Sequence, residues 1–269
     1  MKRYAAVLRA PHVAALIAAT LLARFPIGIN ALALILYLRE ERGSFAIAGA
    51  VAGALAAGSG VGAPVQGRLV DALGQRRVLV PLGVVHAAAL GTLVASTEAG
   101  APTVLLALCG FAAGFAIPPT SSVLRSMWPS LLKDRPDLLQ AAYALDSVLI
   151  ELIFIAGPLL TAAIATVLSP QAALTISAAS VMVGTVAFTA LPPSRAIRPQ
   201  PDRPRVGWLG ALGSPGVRTL VLTSLPAVGG WLSLLIAVLG VGAMWIALGP
   251  VRRRRLPPPP PPPPVPASA

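Results

Sequence analysis

The sequence predicts an all-α protein that crosses a membrane several times. Of its 269 residues, 56% are hydrophobic and 11% are charged, whereas an average soluble domain is about 25% charged. The charged residues fall between long apolar runs instead of along one face of each run. Because about 20 apolar residues span a bilayer as a helix, we expect a polytopic membrane protein in contact with lipid. We expect no nucleic-acid binding, in spite of the net charge of +12.

The apolar runs predict six membrane helices, which together form a bundle over residues 1–191. The fourth of them contains Pro118-Pro119 near its end. Arg125 and Trp128 follow, and we expect them to anchor this helix end, because both residue types are frequent at membrane interfaces. The predicted helices are 12–38, 44–66, 78–96, 102–124, 141–168 and 171–191.

The composition changes after residue 191. The stretch 192–216 is rich in proline and arginine, which predicts a linker. A seventh apolar segment follows at 217–249. The last segment, 250–269, contains four consecutive arginines and eight consecutive prolines, which predicts an extended, disordered tail.

The distribution of basic residues predicts the orientation. Lysine and arginine concentrate on the cytoplasmic side of membrane proteins. If the N-terminus is cytoplasmic, the far side of the first six helices holds only Arg39 and Arg42, and the linker is cytoplasmic too. The bias toward alanine, glycine, proline and arginine is typical of GC-rich bacterial genes. We therefore expect a multi-pass protein of the bacterial inner membrane.

A short charged stretch between the second and third helices carries the most specific pattern. It reads G-x-L-x-D-x-x-G followed by two arginines, and its matching residues are Gly67, Leu69, Asp71, Gly74, Arg76 and Arg77. The stretch resembles the signature loop of the major facilitator superfamily of transporters, although Ala72 replaces the usual basic residue after the aspartate. In such a loop, Asp71 can pair with a nearby arginine or cap a helix. We expect a conformational latch here.

The resemblance implies an architecture of two six-helix bundles, in which substrate crosses as one bundle rocks against the other. This chain would supply one bundle, the linker and the opening of a seventh helix. In the family, helices two and five line the contact between bundles. We therefore expect the helix-packing residues Gly49, Gly53, Gly157 and Pro158 to face a partner, which is the missing C-terminal bundle or a second copy in a homodimer.

The end of the chain contradicts the charge rule that the first six helices obey. One further helix would place the four consecutive arginines on the outer side of the membrane. Arginine and proline homopolymers are typical of a shifted reading frame in GC-rich DNA. We therefore expect a truncated transporter that does not transport by itself.

Three ionisable residues are candidates for a polar centre inside the membrane. Arg24 and Glu151 lie roughly 15 Å from the cytoplasmic side at a rise of 1.5 Å per residue. Charged groups at that depth usually pair with one another. Asp146, about a turn nearer the cytoplasm, is the alternative partner for Arg24. For His86, in the third helix, we favour a packing role with hydrogen bonds over a functional role, which ionisable residues in membrane helices often have.

Two classes of function fit these observations. One is secondary transport of a small solute of unknown identity, possibly efflux. The other is a membrane interaction protein without transport, or a half-transporter that dimerises. An enzyme is disfavoured, because the sequence lacks paired metal ligands, a nucleophile elbow and a P-loop. The single cysteine, Cys109, excludes an internal disulfide and a multi-cysteine metal site, and we expect no cofactor.

Overall fold

The computed structural model describes residues 2–196, and every regular element among them is a helix. Six helical segments in this range are long and apolar enough to cross a membrane, so the predicted all-α, six-span fold class is confirmed. The elements are α1 Lys2–Leu8, α2 Val13–Arg42, α3 Phe45–Leu73, α4 Gln75–Glu98, α5 Thr103–Phe115, α6 Thr120–Leu131, a 3-10 helix at Pro136–Leu138, α7 Leu139–Val167, α8 Pro170–Ala190 and α9 Pro192–Ala196.

Serine and glycine residues set the ends of several spans. At the start of α3, the Ser44 hydroxyl accepts a hydrogen bond from the Ile47 amide at 3.4 Å, and at the start of α8, Ser169 accepts from Ala172 at 3.0 Å. These caps satisfy amides that have no partner inside the helix. Gly74 alone separates α3 from α4, with a φ of 88° that glycine adopts without steric cost.

The fourth span consists of two helices. Helix α5 ends and α6 begins on either side of Pro118-Pro119, because proline lacks an amide hydrogen and disfavours a helical residue before it. Gln66 of α3 donates its side-chain amide to the carbonyl of Phe115, which satisfies a backbone acceptor at the break. The prediction that this span ends at residue 124 is wrong, because α6 continues it to Leu131.

Helices α3 and α5 pack backbone against backbone. A Cβ atom added to Gly62 would lie 2.5 Å from the carbonyl oxygen of Phe115, and one added to Gly110 would lie 2.9 Å from that of Val51. Small residues are what allow membrane helices to approach this closely. The glycines at this contact are Gly58, Gly62, Gly110 and Gly114.

Buried apolar side chains form two clusters, one toward each side of the bundle. Trp128 belongs to the cluster on the N-terminal side, together with Leu16 of α2 and Phe188 of α8, and it is fully buried. The prediction that Trp128 anchors the membrane interface is therefore wrong. Its side chain lies on the face of α6 that packs into the bundle, next to Leu124.

The predicted segments after the bundle fall largely outside the described residues. The linker, 192–216, overlaps the described part only through α9. The seventh apolar segment, 217–249, and the tail, 250–269, lie wholly beyond it. These domain boundaries stay predictions.

Candidate functional site

Two arginines and one aspartate form the charged cluster: Arg24 on α2, Arg125 on α6 and Asp146 on α7. The Arg24 Nη1 donates to Asp146 Oδ1 at 2.6 Å, and the Arg125 Nε donates to Asp146 Oδ2 at 2.6 Å. Both oxygens of one carboxylate are thus held by two separate cations. The aspartate thereby joins three spans.

The charged cluster carries one positive charge in excess. Arg24 and Asp146 are 2% and 1% exposed, whereas Arg125 is 45% exposed. Within the described part of the chain, Nε and Nη2 of Arg24 are buried and have no hydrogen-bond partner. Unmade hydrogen bonds of a buried charged group are costly. This arrangement is therefore not the one that stability alone would favour.

The structure pairs Arg24 with Asp146 and not with Glu151. Glu151 follows Asp146 by five residues, which rotates its side chain about 140° around α7, and it is exposed. The expectation that Arg24 pairs with Glu151 is therefore wrong, and the alternative partner holds the arginine. Arg24 lies about 5 Å from the middle of α2, on its N-terminal side.

A glycine contact joins α2 and α7 beside the charged cluster. A Cβ atom added to Gly157 would lie 2.6 Å from the Cα atom of Gly28. Gly157 is buried inside the bundle, so the expectation that it faces a partner is wrong, while Pro158 beside it is exposed. Gly49 and Gly53 are exposed with no atom within 4 Å of an added Cβ. Their partner-facing role stays a prediction.

A second set of buried polar groups, the neutral network, joins four spans without any charge. The Ser177 hydroxyl donates to the Asn30 Oδ1 at 2.6 Å, and the Asn30 amide lies 3.4 Å from the His86 Nε2. The His86 Nδ1 lies 2.7 Å from the Ala113 carbonyl, which can only accept, so Nδ1 carries the proton and Nε2 accepts. Each polar side chain of the network therefore has a partner.

The charged stretch between the second and third spans is helical almost throughout. Helix α3 continues to Leu73, so Gly67, Leu69 and Asp71 lie on its exposed last turns. The loop interpretation is wrong, because charged residues do not interrupt a helix and only Gly74 does. Within the described residues Asp71 makes no ion pair and does not cap α4. Its role as a latch stays a prediction.

Sequence reasoning missed Asn30 and Ser177 and gave Arg125 the wrong role. Arg125 was expected at the interface, yet it holds the buried Asp146. The sequence contained one signal for this role, the pair Pro118-Pro119. A new helix that begins after the prolines continues the fourth span and places Arg125 within it. In the part of the chain that the structure describes, no three histidine, cysteine, aspartate or glutamate side chains lie close enough together to hold a metal ion.

Comparison with known proteins identifies the family. The sequence profile described as Major Facilitator Superfamily matches residues 16–264. The chain belongs to the Major Facilitator Superfamily. The six apolar spans agree with membership in this family of membrane transporters. Among curated proteins and among solved structures, none shows significant similarity to the chain.

Proposed function

We propose that this member of the Major Facilitator Superfamily carries out secondary active transport of a small solute across the bacterial inner membrane. The observation that supports this is the charged cluster, in which two arginines share one carboxylate inside a membrane bundle. Ionisable groups within membrane segments are costly and mark substrate or ion pathways. The half-exposed Arg125 gives a solute access to the cluster.

Asp146 acts as the shared partner in this proposal. When a solute engages Arg125, Asp146 still neutralises Arg24, and when the solute leaves, Arg125 returns to Asp146. Breaking a buried pair is costly mainly because one charge is left without a partner. A shared carboxylate avoids that cost in both the loaded and the empty state.

The two spans with the least burial support an association with another bundle. In their most apolar stretches, 17% of the α7 residues and 28% of the α3 residues are buried, against 50% in α2. Alternating access requires a second bundle to rock against. We propose that the exposed faces of α3 and α7 meet that bundle or a second copy. The same faces favour, as the second candidate, a membrane interaction protein that does not transport.

The transport proposal is tested with the full 269-residue chain in energised membrane vesicles, using a panel of labelled sugars, amino acids, organic anions and cationic dyes. The proposal predicts accumulation of at least one solute class and its loss in Arg125→Gln, an outcome that would contradict the expectation that the chain does not transport by itself. Arg135→Gln is the matched control, because Arg135 is an exposed arginine outside the charged cluster. If no solute accumulates above the level of empty vesicles, the interaction protein is the better reading.

The orientation is tested separately with reporter fusions that are active only after export. We propose a cytoplasmic N-terminus, so fusions after Gly74 should be inactive, and fusions after Glu41 and Glu98 should be active. The reason is the scarcity of lysine and arginine on the side that holds Arg39 and Arg42. Export-dependent activity after Gly74 contradicts the assignment.

The latch is tested with Asp71→Asn. Asp71 is exposed near the end of α3, far along the helix from its middle. We therefore expect slower transport with nearly unchanged equilibrium binding of the solute. Loss of binding in a folded variant would instead indicate direct contact between Asp71 and the solute.

A further inference from the structure

A cavity of about 520 Å³ opens where α4 begins and α8 ends. We call it the arginine cavity, because three arginines on two different helices are among its lining residues. Its remaining wall is mainly apolar. The described residues that line it are Arg76, Arg77, Val80 and Pro81 of α4, Val186, Thr189 and Ala190 of α8, and Arg195 of α9.

The arginines of the cavity have no counter-charge in the described part of the chain. No acidic side chain is among the described lining residues, and none of the three arginines takes part in an ion pair there. Arg76 and Arg77 also lie in the first turn of α4, where the helix dipole adds positive potential. Three cations and a helix N-terminus around one cavity favour an anion.

A buried hydrogen bond fixes the arrangement of these helices. The Ser194 hydroxyl donates to the Gln75 Oε1 at 2.8 Å, and both side chains are 5% exposed. Gln75 is the first residue of α4, and Ser194 lies in α9. The bond therefore holds α9 against the start of α4, and the cavity-lining Arg195 directly follows Ser194. A buried contact therefore fixes the backbone beside Arg195, while the side chains of the three arginines are exposed.

The apolar wall points to a ligand with a hydrocarbon part. Val80 and Pro81 lie within the second turn of α4, and Val186 lies within the last turns of α8. Val186 is 48% exposed. At 1.5 Å per residue, Val80 and Pro81 lie about 4.5–7.5 Å along α4 from Arg76 and Arg77, toward the membrane interior. That is the level at which a headgroup gives way to acyl chains.

A second cavity, of about 460 Å³, shows what the arginine cavity lacks. It is also lined by two arginines, Arg9 and Arg135, but its lining includes Asp134 as well. Arg135 moreover donates to Asp137 at 3.1 Å, and this hydrogen bond raises the pKa of Arg135. Its positive charges are thus balanced locally, whereas those of the arginine cavity are not.

We propose that the arginine cavity binds an anionic phospholipid, with the headgroup phosphate on Arg76, Arg77 and Arg195 and the start of an acyl chain against Val186. Arginine suits this task because its planar guanidinium donates two parallel hydrogen bonds to phosphate. A soluble phosphate ester shares the same phosphate chemistry but has no acyl chain to contact the apolar wall.

The test measures lipid binding to the purified 269-residue chain by native mass spectrometry, with phosphatidylglycerol and phosphatidylcholine of identical acyl chains. We expect phosphatidylglycerol to bind more tightly. The variant Arg76→Gln/Arg77→Gln/Arg195→Gln should weaken it roughly a hundredfold, at about fivefold for each arginine near an anionic lipid. The control, Arg3→Gln/Arg9→Gln/Arg135→Gln, removes equal charge and should bind within about twofold of the unmodified chain.

Equal losses in both triple variants would overturn the site, because they would show attraction to net charge only. Equal affinity for the two lipids would overturn it as well. If the first triple variant does not fold, Arg195→Gln, outside the six spans, replaces it, with an expected loss of about fivefold. An unchanged affinity in Arg195→Gln would also contradict the proposal.

A separate arm distinguishes lipid from soluble phosphate. Val186→Trp places a larger side chain in the space beside the apolar wall without a change of charge. We expect it to weaken phosphatidylglycerol binding about tenfold. Millimolar inorganic phosphate should leave the melting temperature of the chain unchanged. If phosphate raises the melting temperature in the unmodified chain and in Val186→Trp alike, the ligand is a soluble phosphate and the lipid proposal fails.

Discussion

The charged cluster and the neutral network are both buried and polar, yet they are completed to different degrees. In the neutral network, the hydroxyl of Ser177, the amide of Asn30 and both ring nitrogens of His86 have partners. In the charged cluster, a 2% exposed Arg24 leaves two of its three nitrogens without one among the described residues. The neutral network is hydrogen-bonded throughout, whereas the charged cluster contains buried donors without an acceptor among the described residues.

The difference separates packing from function. A satisfied neutral network specifies how spans fit together and leaves nothing for a ligand to bind. An excess cation in a membrane bundle contributes little to stability, and it attracts anionic groups of a solute. Each set has one member on α2. Arg24 and Asn30 are six residues apart on this helix, about 9 Å along its axis. The first span thus contributes both to a packing contact, through Asn30, and to the candidate functional site, through Arg24.

The largest effect should come from Asp146→Asn, which leaves Arg24 and Arg125 facing each other without a counter-charge. Breaking a buried pair costs about 3–5 kcal/mol. We expect much less folded protein, measured as the monodisperse fraction after detergent extraction and heating. Exchanging the charges, Arg24→Asp with Asp146→Arg, should restore part of it. A fully stable Asp146→Asn would show that the carboxylate does not hold the cluster together.

The next effect should come from Gly157→Ala, which separates α2 from α7 beside the charged cluster. The added methyl group meets the backbone of Gly28, and such overpacking costs about 1–3 kcal/mol. Gly53→Ala is the matched control, because its Cβ meets open space. We expect a lower melting temperature only for Gly157→Ala. Equal melting temperatures would contradict the close contact of α2 and α7.

A double-mutant cycle measures the neutral network directly. Asn30→Ala, His86→Ala and the double variant should show a coupling energy of about 0.6 kcal/mol, and at most about 1.7 kcal/mol, as for other hydrogen bonds between membrane helices. The readout is the free energy of unfolding in detergent. We expect no change in solute selectivity in any of the three. A selectivity change would move His86 from packing to function.

The smallest effect should come from Glu151→Gln, because Glu151 is exposed and has no ion pair within the described residues. The expected change in stability is within about 0.5 kcal/mol, measured beside Asp146→Asn under the same conditions. A large loss in Glu151→Gln would reverse the order of the two acids and contradict the pairing seen on α7.

The number of spans and the family could be predicted from the sequence, because both depend on local features. Apolar length alone fixes the spans, and the pattern around Asp71 carries the resemblance. The bounds failed where helix continues through charge: α3 runs through Asp71 to Leu73, since only the glycine after it breaks the helix. A charged stretch marks the end of the membrane and not the end of the helix.

The partners inside the bundle could not be predicted, because they depend on the rotation of each helix about its axis. Glu151 and Asp146 differ by five residues, and depth alone favoured the wrong one. Trp128 and Arg125 lie three residues apart on α6, and their residue types suggested the interface. Trp128 is instead fully buried, and Arg125, although 45% exposed, holds the buried Asp146. Only the restart after Pro118-Pro119 gives α6 its phase.

Only one residue connects α3 to α4, so the two spans cannot move far along their axes independently of each other. A helix of 29 residues and one of 24 meet at Gly74, and one residue reaches at most about 3.6 Å. A longer slide of α3 along its axis must therefore pull the start of α4 with it, and with it Arg76 and Arg77. A motion that begins at the open face of α3 thus arrives at the rim of the arginine cavity.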